Sequence, residues 1–176
     1  MLELHIDALW DGAPAARGEA IRLRLALEAD ALTVQVEAPF WGDPPPAAPP
    51  GPTWQLWEHE VVELFLSGPD GHYLELELGP HGHHLALRLH GVRNIVAREL
   101  PVDYRAQIRG ERWEGEARVP CSLLPRGALR LNATAIHGQG EARRYLSWRP
   151  LPGARPDFHQ PDAFAPWNAA VPHELR

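Results

Sequence analysis

The sequence predicts an all-β fold, an antiparallel β-sandwich, and three observations predict it. Apolar residues recur at every second position in about ten segments, the spacing that puts one face of a strand against a core. Gly, Pro, Asp or Asn bound these segments, as strand ends require. No stretch carries the 3.6-residue period of an amphipathic helix.

The alternation runs along the chain. Ile21, Leu23, Leu25 and Leu27 alternate with Arg22 and Arg24, and Leu32, Val34 and Val36 with Thr33, Gln35 and Glu37. Residues 39–53 are Pro-rich and predict an extended loop, because Pro cannot join a ladder and restricts its predecessor. Val62, Leu64 and Leu66 resume the pattern, and Ser67-Gly68-Pro69-Asp70-Gly71 predicts a hairpin to Leu74, Leu76 and Leu78. After Gly79-Pro80-His81-Gly82, Leu85, Leu87 and Leu89 form another set, followed by Trp113–Val119 and Leu129–Ala135. Residues 150–176 read as an irregular tail across the sandwich, with Asp162 capping a short helical turn. Residues 1–176 are expected to form one β-sandwich domain.

Composition narrows the function. All 17 basic residues are Arg, so Schiff-base and P-loop chemistry are excluded. The lone Cys121 allows no internal disulfide and no Cys-rich zinc site. A net charge of −6 argues against a nucleic-acid partner. Polar residues near the start interrupt any signal-like run, and no stretch is long enough to span a bilayer, so no membrane partner and a cytoplasmic location are expected. No cofactor is expected, and oligomeric state is not encoded legibly.

Strand parity gathers chemistry on one face. With Leu64 and Leu66 packed beside Leu74, Leu76 and Leu78, the opposite face carries Glu63, Phe65, Tyr73, Glu75 and Glu77. The leucines of the third strand are expected on the core side, which adds His84, Arg88 and His90 to the same set. Carboxylates facing one another across strands repel, so stability alone does not account for them. A ligand rich in hydroxyl donors would use them, and Arg88 is the expected positive contact.

The run Leu56-Trp57-Glu58-His59-Glu60-Val61-Val62-Glu63-Leu64-Phe65 carries a family resemblance. With it go Tyr73–Gly82, Ala135-Ile136-His137-Gly138, Trp148 and Pro156-Asp157-Phe158-His159. Together they resemble an uncharacterised family of DOMON-like β-sandwich proteins, distantly similar to the family 9 carbohydrate-binding modules. The resemblance implies a jelly-roll type sandwich binding a carbohydrate or similar polyhydroxylated molecule on its concave sheet face, without catalysis. It further implies that Trp57 and Trp148 clamp the sugar ring, while Glu63 and Glu77 take hydroxyls. Tyr145 and Gly79 depart from asparagines usual in those modules. The full expected ligand set is Trp57, Glu63, Glu75, Glu77, Arg88 and Trp148, with no catalytic residue and no metal ligand.

Three alternatives remain. A glycoside-acting enzyme would use Glu63 as its raised-pKa acid and Glu75 or Glu77 as the ionised partner. A metal or catalytic centre would need His137 and His159 to converge with Glu58 or Glu60, or the His81-Gly82-His83-His84 turn to find a third ligand. A protein-interaction module would expose an apolar patch around Trp41 and the Pro-rich loop.

Overall fold

The computed structural model describes residues 1–167; the last part of the tail, 168–176, lies outside the described residues. In chain order the strands are β1 (Leu2–Ile6), β2 (Ile21–Leu27), β3 (Ala31–Pro39), β4 (Gly51–Pro52), β5 (Val61–Ser67), β6 (His72–Leu78) and β7 (His83–His90). Then follow β8 (Ile95–Ala97), β9 (Asp103–Arg109), β10 (Arg112–Pro120), β11 (Arg130–His137), β12 (Arg144–Ser147) and β13 (Ala165–Pro166). They make two sheets. One has the order β1-β2-β3-β10-β9; the other runs β12-β11-β5-β6-β7-β4, with β13 on β11 and β8 on β7. All pairings are antiparallel except β4 with β7. No helix among the described residues is long and apolar enough to cross a membrane. The sandwich expected from the alternation is the observed fold.

The core between the sheets is built from the predicted parity. Leu23, Leu25, Val34 and Val36 from the first sheet meet Leu64, Leu66, Leu74 and Leu76 from the second. Trp113 and Trp167 join this core. The five-stranded sheet has a solvated outer face, where Arg22 and Arg24 pair with Glu37.

The eight-stranded sheet differs, because it is apolar on both faces. Its outer side carries a second cluster of Val61, Phe65, Tyr73, Leu85, Leu87, Leu89 and Ile136. Leu56 from a single helical turn (Leu56–Glu58) and Leu151, Phe158 and Phe164 from the C-terminal segment cover it. β5 is consequently buried along its whole length. The C-terminal segment is irregular, as predicted, but Asp162 does not cap its turn. It lies inside the turn Pro161–Ala163, where its carbonyl accepts from Arg130.

This second layer corrects the parity read for β7. Leu76 pairs with Ala86 and Leu74 with Arg88, so even-numbered residues of β7 face the first sheet. Leu85, Leu87 and Leu89 join the carboxylate face instead. Hydrophobic alternation identifies two faces of a strand but cannot say which is inner when both are buried.

Candidate functional site

The site is built on the centre of the eight-stranded sheet. The β5–β6 register sets Glu63 directly opposite Glu77 and Phe65 opposite Glu75, while Thr134 of β11 flanks Glu63. These side chains point outward from the sandwich, beneath the covering layer. Glu63, Glu75 and Glu77 are therefore buried, with Glu77 at 0% exposure. Each offers an oxygen within 4.8 Å of the others.

Their hydrogen bonding is incomplete. Thr134 Oγ1 donates to Glu63 Oε2 over 2.6 Å. Neither oxygen of Glu77 has a partner, nor does Glu75 Oε2. A buried polar group left unpaired is costly, so such atoms call for an account. Burial raises the pKa of all three carboxyls, and their mutual repulsion raises Glu75 and Glu77 further. The order expected for a glycosidase pair, with Glu63 raised and Glu75 or Glu77 at its ordinary value, is not the one found: Glu63 is raised to about 7, and Glu75 and Glu77 are raised well above the ordinary value.

Above the carboxylates lies a pocket of about 410 Å³. Trp57, Phe65, Leu87, Leu89, Ile136 and Phe158 give it apolar walls, and Glu63, Glu75, Arg93, Asp157 and His159 supply polar groups. This mixture of apolar walls and few convergent polar groups is the usual make-up of a small-molecule site. Trp57 stands on the Leu56–Glu58 turn, which Gln55 enters in a left-handed conformation (φ 61°). Arg143 holds that turn by donating to the carbonyls of Trp57 and Glu58. Trp54 packs edge-on against Trp57 with ring centroids 5.0 Å apart. Trp54 and Ile95 form an exposed apolar lip to the pocket.

A hydrogen-bond chain fixes the far wall. The Arg93 backbone N–H donates to Tyr73 Oη at 2.9 Å, which leaves the Tyr73 hydroxyl to donate to His159 Nδ1, also at 2.9 Å. The remaining proton of a neutral imidazole then sits on Nε2, facing Glu75 Oε1 at 3.9 Å. Burial pushes His159 down to about 4, which keeps it neutral. Arg93 pairs with Asp157 at 2.7 Å, and Asp157 also accepts from the His159 backbone N–H.

Of the expected ligand set, the structure brings Trp57, Glu63 and Glu75 together at this pocket, with Glu77 beneath them. Arg88 and Trp148 do not join them. Arg88 leaves the opposite face of β7 and reaches the Ser122 carbonyl at 3.4 Å. Trp148 packs against the core between the sheets, with Arg149 over its ring. The Trp57–Trp148 clamp across one cleft is thereby corrected, because the chain after β12 brings residue 148 to the other face. The carboxylates also lie on a covered face rather than an open one.

The histidine constellations resolve differently from the sequence expectation. His159 meets Tyr73 and Glu75 instead of Glu58 or Glu60. His137 pairs with Glu19 at 3.1 Å and stacks on Trp41. Glu60 accepts from the backbone N–H groups of Trp41 and Asp43 and so pins the Pro-rich loop. Trp41 is consequently half-buried and is no exposed patch. Among the described residues, the metal-ligand grouping of three or more is Glu63, Glu75 and Glu77. Arg93, Asp157 and Thr134 were missed by sequence reasoning. Of these, Asp157 had a signal, since it sits in the Pro156–His159 motif.

No family model matches the chain. The protein of Danio rerio described as UPF0462 protein C4orf33 homolog is 41% identical over 172 residues, covering 93% of this chain and 87% of that protein. The Homo sapiens UPF0462 protein C4orf33 is 40% identical over 177 residues, covering 95% of this chain and 88% of its own length. The chain belongs to the UPF0462 family. Solved structures place the UPF0462 fold among sandwiches similar to family 9 modules. A "putative carbohydrate-binding protein" of Bacteroides uniformis superposes with TM-score 0.73 at 19% identity, over 94% of this chain and 85% of that one. A family 9 carbohydrate-binding module of Caldicellulosiruptor kristjanssonii in complex with cellotriose gives 0.53 at 15% identity, over 77% and 68%. At these identities the likeness shows the fold.

Proposed function

We propose that the pocket between β5–β7 and the C-terminal segment binds a small polyhydroxylated molecule, a carbohydrate or close chemical relative, without transforming it. The observation that carries this is the meeting of an indole wall with buried carboxylate oxygens that lack donors. A sugar ring has an apolar C–H face for Trp57 to cover and a hydroxyl rim that donates to Glu63 and Glu75. Arg93, Asp157 and His159 would take the remaining hydroxyls, the positive contact coming from Arg93 in place of Arg88. Similarity to structures named for carbohydrate binding supports the reading. A glycosidase pair needs one carboxylate held ionised beside a raised acid, whereas burial here raises all three glutamates together.

The test is calorimetric titration and ligand-observed NMR against a panel of mono- and disaccharides and polyols. Trp57→Ala should weaken whatever binds by more than about tenfold, about 1.4 kcal/mol, and Glu75→Gln should also weaken it. A panel without a binder, or full affinity in Trp57→Ala, would overturn the proposal.

A further inference from the structure

We infer that Glu63, Glu75 and Glu77 form a site for one oxygen-preferring divalent cation of the calcium or manganese class. It lies at the floor of the pocket, and its existence does not depend on what organic ligand the pocket takes. Two adjacent strands bring three carboxylates together here: Glu63 on β5, with Glu75 and Glu77 two residues apart on β6. Two oxygens on one calcium ion lie at most about 5 Å apart, twice a bond of 2.3–2.6 Å. The three carboxylate oxygens, all within 4.8 Å of one another, satisfy that limit. An all-carboxylate donor set selects hard cations over the thiolate- and imidazole-seeking metals.

The second observation concerns Glu77 itself. It is fully buried and aimed into the cluster, and neither of its oxygens has a partner at hydrogen-bond geometry, the Trp57 backbone N–H favouring its charged form only weakly; Glu75 Oε2 also lacks a partner. Three unpaired acceptor atoms on adjacent carboxyls are poorly explained as packing, since protons alone leave most of these lone pairs unused. A dication would satisfy them together and remove the repulsion between Glu63, Glu75 and Glu77. Thr134 Oγ1, already bonded to Glu63 Oε2, would orient that carboxylate as an outer partner. Glu63 and Glu75 line the pocket, so an ion has a route from solvent, and water or a ligand hydroxyl from the pocket side would complete its shell.

The probe is manganese alone, with no sugar present, added to chelator-stripped protein near neutral pH. Electron paramagnetic resonance should count one bound ion per chain, calcium should displace it, and both should raise the melting temperature. Glu77→Gln and Glu75→Gln should each weaken manganese binding by more than about tenfold, whereas Glu114→Gln on the opposite sheet should leave it unchanged. Circular dichroism of each variant separates lost binding from lost folding. Absence of manganese binding to the wild type, or unaltered binding in a folded Glu77→Gln variant, would overturn the inference. Because no saccharide is used, a failure here is distinguishable from a failure of carbohydrate binding, which is read separately from saccharide titration and Trp57→Ala.

Discussion

Tyr73 Oη lies 2.9 Å from His159 Nδ1, a bond that ties the central strand β6 to the C-terminal segment across 86 positions of sequence. The same hydroxyl accepts from the Arg93 backbone N–H, so one buried oxygen closes the pocket wall on two sides.

Tyr73→Phe keeps the ring and removes that oxygen. It leaves the Arg93 N–H and His159 Nδ1 without their partner, at a cost of about 1–3 kcal/mol. Denaturant unfolding should show the loss, and limited proteolysis should find the segment around His159 opened.

Stability should rise as pH falls from about 8 to about 6.5, the range in which Glu60 and Glu63, both raised to about 7, take up their protons. Burial raises Glu60 to about 7 and holds Glu63, Glu75 and Glu77 above their ordinary value. The folded state thus keeps protons that the unfolded chain releases, so stability is fully present below the unfolded pKa and lost as pH rises through the folded one. His159 works in the opposite sense: lowered to about 4, it takes stability away as pH drops below about 6.5. Melting temperatures measured in chelator should follow the first trend between about pH 8 and 6.5, above the range in which His159 acts, and Glu63→Gln should flatten it. A flat wild-type profile there would refute the burial argument.

Glu60 pins the Pro-rich loop through the N–H groups of Trp41 and Asp43. In Glu60→Ala, hydrogen exchange at those two amides should accelerate, while amides of β5 and β6 keep their protection. Uniform acceleration would indicate global destabilisation and remove the anchoring role.

Arg143 positions Trp57 through the two carbonyls it caps, and Gly138 positions Arg143. Gly138 has φ of 77°, and a Cβ there would overlap the Ala142 carbonyl oxygen. Gly138→Ala should cost about 1–3 kcal/mol. Arg143→Ala should cost less stability, loosen the Leu56–Glu58 turn and change the fluorescence of Trp54 and Trp57. An unchanged spectrum would show that the turn holds itself.

Seven of the strands (β2, β3, β5, β6, β7, β10 and β11), the β5–β6 hairpin and the sharing of one face by Glu63, Glu75 and Glu77 are legible in the sequence. Period two and turn chemistry are local properties, and cross-strand register follows from a short loop. Tertiary structure alone decided what that face meets. Both sides of the eight-stranded sheet are apolar, so hydrophobicity left the orientation of β7 open, and only the Leu76–Ala86 register turned Arg88 away. The covering of the carboxylates depends on where the chain after β12 travels, which brings His159 to Tyr73 and takes Trp148 to the other core. Contacts at such separations follow from packing and leave no periodic trace in the sequence.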